Sequence, residues 1–275
     1  MATILNSHVR RDGRVGQRGQ ARALASLLGV ILASWISSGA SAAGSANTDA
    51  LHQTAVSTLD LTRAFKTKTK WSLVITQDPN NDFGERGEIN FCFAKSKKTD
   101  CAGAGLNVFD SVQIIHPHGV RESPLLVARV EGVYAGSGHP IGTSVWVYRH
   151  QSDRFERIFS RQSDTSENEE TRVVAKGPLA GDIIVNTPTR RVPWPYTMTV
   201  YRLSESRHYA EILAYKARSR WADGNRLAVI DAEMLEIEKR LHVWQPGDGL
   251  PVPAEKPEGC GRITLRNGLA WCPGS

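Results

Sequence analysis

The feature that most limits the possible folds of this chain is a pattern of strands that recurs along it. The stretch from Pro124 to Ser160 holds an apolar run, a glycine-rich connection, a Val-Trp-Val-Tyr run and a second aromatic run after a polar turn. Such runs, bounded by Gly, Ser and Asp, are typical of consecutive antiparallel strands. Residues 147–149 (Val-Tyr-Arg) and Phe155 recur as residues 200–202 (Val-Tyr-Arg) and Tyr209, 53 residues later at the valine.

A third, fainter copy begins at residues 92–93 (Cys-Phe), and we expect Phe109 and Val112 to close it. Each copy follows one or two apolar strands, so each unit has about four strands. This predicts a mainly β fold of successive antiparallel four-stranded units, similar to propeller blades. Three units are too few for an ordinary closed propeller, so an open or irregular arrangement and a β-sandwich stay as alternatives. Coincidence among ordinary hairpins is the other interpretation of the repeat.

The first 42 residues have the pattern of an export signal. Five arginines precede an apolar segment of 14 residues, from Ala23 to Ile36, and the small residues 40–42 (Ala-Ser-Ala) follow. A transmembrane helix needs about 20 apolar residues. A cleavable signal peptide is therefore the prediction, with a soluble periplasmic or secreted protein as its product.

Removal of this segment changes the charge argument. The whole chain has a formal net charge of +6, and residues 43–275 alone have +2. The basic excess therefore lies mostly in the predicted signal, so a nucleic-acid partner is not expected. No later segment is apolar enough to predict an integral membrane protein.

The remaining chain divides into four segments. Residues 43–70 form a leader in which Asp49 to Phe65 has the spacing of a helix, although its threonines weaken that prediction. Residues 71–245 form the β-rich domain, which ends in a helix from Ala232 to Leu241 with Asp231 as N-cap. Residues 246–259 are a Pro/Gly-rich linker. Residues 260–275 form a hairpin that turns at residues 267–268 (Asn-Gly).

Four cysteines lie in the part after the signal, and an even number in an exported protein favours disulfides. Four cysteines allow three pairings. We favour the two local pairs, Cys92 with Cys101 and Cys260 with Cys272, because the partners are close in sequence. A metal site is the alternative, but no C-x-x-C spacing supports it.

The sequence has no nucleophile elbow, no H-E-x-x-H, no P-loop and no dinucleotide-binding glycine fingerprint, so no catalytic residue and no cofactor is predicted. Asp78, Asn80 and Asp82 resemble the start of a calcium loop, but the glycine comes one position late and an ordinary polar turn is favoured. His116 and His118 could ligate zinc, with His139 or His150 as a third ligand. A proline-stiffened turn is favoured there too.

The segment most typical of a partner-binding loop is residues 190–196 (RRVPWPY). Two prolines restrict it, which reduces the entropy lost on binding, and Arg, Trp and Tyr are common anchors in interfaces. The candidate contact residues are Arg190, Arg191, Trp194 and Tyr196. A tryptophan packed over the end of the sheet is an equally good interpretation. The acidic run from Ser163 to Glu170 is expected to be a solvated loop.

Several motifs together resemble a set of exported bacterial proteins of unknown function: WSL-x-x-TQDP, IIHPHG, GPLAGDIIVNTPT and DGN-x-LAVID-x-EM, at residues 71–79, 114–119, 177–189 and 223–234. The recurring strands are also weakly similar to FG-GAP/VCBS propeller repeats, without their D-x-D-x-D-G calcium signature. The first resemblance implies export and no catalytic residue. The second implies blade-like sheets.

The functional expectation is an exported, non-enzymatic binding or envelope-associated protein with an envelope or extracellular protein or a glycan as partner. One alternative is a periplasmic metal-dependent hydrolase that uses His116 and His118. A second alternative is a secreted enzyme inhibitor.

Overall fold

The computed structural model describes residues 53–80, 85–119, 124–133, 139–189, 195–220 and 223–273. The predicted signal peptide lies outside the described residues. The described chain is mainly β: it forms three four-stranded antiparallel sheets in succession, and one two-stranded hairpin follows a late helix. The strand order of each larger sheet is that of the sequence. The prediction of successive antiparallel four-stranded units with one late helix is therefore confirmed.

The first sheet consists of β1 (Thr54–Asp60), β2 (Ser72–Gln77), β3 (Ile89–Lys95) and β4 (Lys98–Gly103). This sheet begins with a strand, so the prediction of a helix from Asp49 to Phe65 was wrong. Residues 54–60 pair with β2 as a strand, and only Thr62–Phe65 forms a one-turn helix, α1. The threonines of this segment lose side-chain freedom in a helix but suit a strand.

The second sheet consists of β5 (Val108–Ile115), β6 (Leu125–Glu131), β7 (Pro140–Arg149) and β8 (Arg154–Asp164). Phe109 and Val112 lie in β5, so they do not close the repeat that begins at Cys92, and this prediction was wrong. The fourth strand of the first sheet is β4. Its residues are almost all exposed at the sheet edge, so it lacks the apolar alternation by which a strand is recognised in a sequence.

The third sheet consists of β9 (Glu170–Val173), β10 (Ile183–Pro188), β11 (Pro195–Leu203) and β12 (Tyr209–Arg220). A 3-10 turn at Thr165–Glu167 connects it to the second sheet. The run from Ser163 to Glu170 is not a solvated loop throughout. Ser163 is buried in β8, and Glu170 begins β9.

The second sheet is buried on both faces because its side chains alternate between two cores. On β6, Leu126 and Ala128 pack towards the first sheet, whereas Leu125 and Val127 pack towards the third. The third sheet shows the same alternation: Ile183 packs towards the second sheet and Ile184 towards the late helix. The described chain is thus an open stack of layers in which each sheet supplies one face to each neighbour.

In each of the three sheets, the turn between the third and fourth strands contains a residue with positive φ. Ser96, Asp153 and Arg207 all have positive φ (53°, 47° and 60°) and stand in the β3–β4, β7–β8 and β11–β12 turns. Asp153 reaches back to the first sheet, where it accepts a hydrogen bond from Trp71 Nε1, and Arg207 donates to the backbone oxygen of Tyr148 in the second. The repeated Val-Tyr-Arg motifs precede two of these turns.

The late helix α2 (Val229–Arg240) covers the outer face of the third sheet. It begins earlier than predicted, and Asp231 is not its N-cap. Ala228 holds that position, and Asp231 lies in the first turn with its carboxylate bound to Arg172. Val229 and Ile230, just before Asp231, therefore belong to a buried helix, which periodicity alone cannot separate from a buried strand.

The C-terminal hairpin pairs β13 (Thr264–Arg266) with β14 (Leu269–Trp271) through a two-residue turn. Asn267 and Gly268 both have positive φ, 51° and 79°, as the turn type of an Asn-Gly pair requires. The hairpin packs on α2 through a small core that includes Leu227, Ala232 and Ala270.

Both disulfides join cysteines that are close in sequence. Cys92 and Cys101 stand directly opposite each other on β3 and β4, with Cα atoms 4.0 Å apart. Cys260 bonds Cys272, and Gly259, with φ +71°, allows the chain to bend back towards the hairpin.

Candidate functional site

A groove of about 1260 Å³ lies between the second sheet, the edge of the third sheet and the segment after α2. Its floor is part of the second-sheet face that points towards the third sheet, and it consists of Ser111, Gln113, Ile115, Val127, Arg129 and Thr143. The floor therefore mixes hydrogen-bonding and aliphatic side chains on a rigid sheet.

The walls come from three separate segments. Strand β9 and the residues to Lys176 form one wall, the approach to α2 from Asn225 to Val229 forms a second, and residues 252–258 form the third. Residues 252–258 are held there by a hydrogen bond from Arg226 Nη2 to the Glu258 oxygen at 2.6 Å. The segment predicted as a linker is thus one wall of the groove.

Strand β9 covers only one side of the floor. The Thr171 hydroxyl on β9 lies 2.7 Å from the Ser163 hydroxyl on β8, and the Thr143 hydroxyl on β7 donates to the Thr171 backbone oxygen at 3.4 Å. The contacts of β9 with the second sheet are therefore mainly with the third and fourth strands of that sheet. Ser111 and Gln113, on the first strand β5, line the groove instead.

A buried charge cluster, which we call the Arg172 cluster, lies in the wall. Arg172 donates from Nε to Glu170 Oε1 at 2.6 Å and from Nη2 to Asp231 Oδ2 at 3.2 Å. Asp231 Oδ1 also accepts from the Ala254 backbone N–H at 2.9 Å. The cluster joins β9, α2 and the segment 252–258 through one guanidinium, whose planar fork suits two carboxylates.

Burial and neighbouring charges shift the pKa values of Glu170 and Arg172. Desolvation raises the pKa of the Glu170 carboxyl above its ordinary value, against the opposing charge of Arg172. The pKa of Arg172 is raised because its two carboxylate partners outweigh the cost of its burial. A carboxylate with a raised pKa in a cavity is typical of functional sites, although structural ion-pair networks show the same shift.

Arg129 extends the charge pattern onto the floor. Its Nε lies 3.2 Å from Asp110 Oδ2, which is an ion-pair distance, but this nitrogen lacks a partner with hydrogen-bond geometry in the described residues. A buried N–H without a well-aligned acceptor costs about 1–3 kcal/mol.

Asp231 has no free capacity for chemistry on a ligand. Its two oxygens take three hydrogen bonds, from Arg172 and Ala254, and its side chain is 1% exposed. The Glu170 side chain is 23% exposed and faces the opening. Within the Arg172 cluster, Glu170 is thus the one carboxylate with exposed surface, so the cluster suits the binding of a charged group better than paired acid–base catalysis, which needs two accessible groups.

The predicted partner loop is outside this site. Arg190, Arg191 and Trp194 lie outside the described residues. Tyr196 is fully buried in the core between the third sheet and α2, so its assignment as a partner contact was wrong. It continues the alternation of Met198 and Val200 along β11, and this alternation assigns it to the core.

Two of the segments that hold candidate metal residues make structural contacts. Asp78 Oδ1 accepts hydrogen bonds from Gln53 and Asn90, and Asp82 lies outside the described residues. The backbone of His118 donates to the Ala180 oxygen, and Pro117 packs where a Cβ on Gly181 would stand. Among the described residues, no three His, Cys, Asp or Glu side chains gather as a metal site would require.

Reasoning from the sequence missed the groove residues Glu170, Arg172 and Asp231. The run Glu170–Val173 alternates charged and neutral residues, which is typical of an exposed edge strand. Nothing local indicates that Asp231, 59 residues away, faces Arg172. One signal was present, because an acid among buried apolar residues before a helix needs a buried cation as partner.

Comparison with known proteins adds no relative. No protein-family model matches the chain, no curated protein matches it, and no solved structure matches its fold. The resemblance to exported bacterial proteins and to FG-GAP/VCBS repeats therefore stays a prediction. In the part of the chain that the structure describes, no helix is long and apolar enough to cross a membrane.

Proposed function

We propose that this chain is an exported, non-enzymatic binding protein whose groove holds an extended polypeptide segment of its partner. The observation that carries the proposal is the preformed groove of about 1260 Å³, with acidic and basic side chains on its walls. Pockets for single small molecules usually have about 300–1,000 Å³. The volume therefore favours a chain-like ligand over one compact molecule.

The chemistry of the lining favours a peptide over other chain-like ligands. Five basic residues line the groove (Arg129, Arg172, Lys176, Arg226 and Lys256), and five acidic residues accompany them (Glu169, Glu170, Asp231, Glu255 and Glu258). An anionic polymer would meet as much repulsion as attraction. A peptide carries charges of both signs together with apolar side chains for the aliphatic floor.

The edge of β9 supports the same ligand. A peptide can extend an exposed sheet edge as an added strand, because the main-chain N–H and C=O groups of an edge strand are available for pairing. Strand β9 is the edge of the third sheet, and it lines the groove. The described residues that line the groove include no aromatic ring, so they do not offer the stacking that single-stranded nucleic acids need.

Export is part of the proposal. Two disulfides fit an oxidising compartment. The arginine-rich start, the apolar segment and the Ala-Ser-Ala sequence support a signal peptide. The metal-dependent hydrolase is not favoured, because the pair His116 and His118 has no third ligand among the described residues.

The experiment begins with the chain from Ala43 onward, which keeps the compact unit Asp49–Ser275. A random-peptide display library is selected against it, and enriched peptides are titrated calorimetrically. A groove-filling variant, Gln113→Trp, should weaken binding at least tenfold because the indole occupies the floor. The matched control is Gln151→Trp, at an exposed glutamine in the β7–β8 turn outside the groove, and it should bind as wild type does.

Three results would contradict the proposal. One is that no peptide is enriched over an empty support. The second is that Gln113→Trp binds the enriched peptides as tightly as wild type. The third is that Gln151→Trp weakens binding as much as Gln113→Trp.

A further inference from the structure

The fold brings two lysine-rich loops together at one end of the stack. The loop between β1 and β2, residues 61–71, and the β3–β4 turn with its flanks, residues 95–98, carry seven cationic side chains and no acid. The register places the loops side by side, because Ser72 pairs with both Asp60 and Ala94. Neighbouring strands are about 4.8 Å apart. Two charge runs that are separate in the sequence thus form one surface.

Six of these cations are exposed and make no salt bridge within the part of the chain that the structure describes: Arg63 and the lysines Lys66, Lys68, Lys70, Lys97 and Lys98. We call the five lysines the basic end. Two nearby charged groups, Lys95 and Asp60, already have a neighbour of opposite charge. Lys95 is paired with Asp153, and Asp60 lies close enough to Lys70 for that charge to lower the Asp60 pKa, after the hydrogen bonds from Thr62. The exposed charge that remains contrasts with a net charge of only +2 for residues 43–275.

The chemistry of the basic end indicates the kind of partner. Lysine ammonium groups are hydrated point charges on flexible stems, without the fork by which arginine recognises a single phosphate or carboxylate. Such a surface therefore binds partners that carry a high density of negative charge. None of the large exposed apolar residues of the described chain lies in these loops: they are Val56, Val133, Ile212, Val252 and Leu265. Insertion into a bilayer interior is therefore not expected.

The shape of the basic end also indicates the kind of partner. The loops project from two adjacent hairpins of one sheet, and the β7–β8 turn of the second sheet contacts them through Asp153. Packed sheets are about 10 Å apart, so the basic end is broad. The groove of about 1260 Å³ lies elsewhere, along β5 and β9, so it is not part of the basic end.

We infer that the basic end is a peripheral docking surface for an anionic lipid bilayer. It is separate from the groove and does not depend on the proposed peptide ligand. Each lysine near an anionic bilayer strengthens association by a free energy that corresponds to about fivefold in the partition coefficient. The attraction is screened by salt, with a Debye length of about 10 Å at 0.1 M and about 3 Å at 1 M.

The test is cosedimentation of the chain from Ala43 onward with vesicles of phosphatidylglycerol and phosphatidylcholine, and with phosphatidylcholine alone. The quadruple variant Lys66→Gln, Lys68→Gln, Lys97→Gln, Lys98→Gln removes the exposed charges least affected by acids. The control removes the same charge from four exposed basic residues away from these loops, by Arg86→Gln, Lys216→Gln, Arg220→Gln and Arg262→Gln.

Wild type and control should bind the anionic vesicles in 0.1 M salt and should be released in 1 M salt. The quadruple variant should bind more than a hundredfold more weakly, while its circular dichroism and melting temperature match wild type. The inference is overturned if wild type stays in the supernatant, if the control loses as much binding as the quadruple variant, or if soluble heparin binds wild type as tightly as the vesicles do.

Discussion

The two interfaces between the three large sheets differ, although the second sheet forms one side of each. Between the first and second sheets, an aromatic core closes the space, with Phe93 stacked on Phe155 at 4.9 Å and Trp146 against Phe91 at 5.2 Å. Between the second and third sheets, the core is mostly aliphatic and opens into the groove. One sheet therefore serves as the wall of a closed core on one face and as the floor of a groove on the other.

The difference comes from side-chain volume and from the position of β9. Large rings fill the space between the first and second sheets, whereas β9 mainly contacts the third and fourth strands of the second sheet and leaves side chains of β5 open to the groove. The polar groups of the two interfaces also differ. Asp153 closes the first interface by accepting hydrogen bonds from Trp71, Tyr148 and Lys95. The Arg172 cluster lines an opening instead of closing it.

The largest expected effect tests the two faces with neighbouring residues of the same type. Leu126 and Leu125 are both fully buried on β6, but Leu126 faces the aromatic core and Leu125 faces the aliphatic one. Leu126→Ala should lower the free energy of unfolding by about 4 kcal/mol, and Leu125→Ala by about 3 kcal/mol, because interlocked rings relax less into a cavity. Urea denaturation measures both. Equal losses, or a larger loss for Leu125→Ala, would contradict the contrast.

A smaller effect is expected at Asp153. Asp153→Ala should lower the free energy of unfolding by about 3 kcal/mol, since it leaves buried donors of the first interface without their acceptor and places alanine at positive φ. Asp153→Asn tolerates that backbone and keeps one acceptor, so its loss should be about half as large. If denaturation shows that both variants are as stable as wild type, Asp153 does not close the interface.

The smallest expected effect concerns how the free energy of unfolding changes with pH. Asp153 and Glu170 contribute to this change with opposite signs. Hydrogen bonds from Lys95 and then Tyr148 lower the pKa of Asp153, so its stabilisation is complete above its unfolded value of 3.8 and is lost as the pH falls below that value. Burial raises the pKa of Glu170, so stability is lost as the pH rises from the unfolded value of 4.5 through the raised value.

Variants separate these two contributions. Asp153→Asn should flatten the acid side of the profile of unfolding free energy against pH, and Glu170→Gln should flatten the decline above pH 4.5. The profile is obtained from chemical denaturation at closely spaced pH values. A steeper decline above pH 4.5 in Glu170→Gln would mean that burial does not dominate at this carboxyl.

Much of the fold follows from local pattern, and most of the site does not. The alternation of large side chains on β6, β7 and β11 predicted buried strands, and the Asn267 turn set the hairpin register. Strands β1 and β4 were not predicted, because both are polar strands at a sheet edge and only their pairing with a neighbouring strand identifies them. The Arg172 cluster and the basic end each join segments that are distant in the chain, so only the packing of the layers brings their charges together.

Hydrogen exchange with and without an enriched peptide tests the groove most directly. Peptide binding should slow exchange in residues 111–115 on the floor, 170–174 along β9 and 252–258 in the opposite wall, and should leave the first sheet unchanged. Protection confined to the first sheet or to the hairpin, or no protection at saturating peptide, would contradict the assignment of the groove as the ligand site.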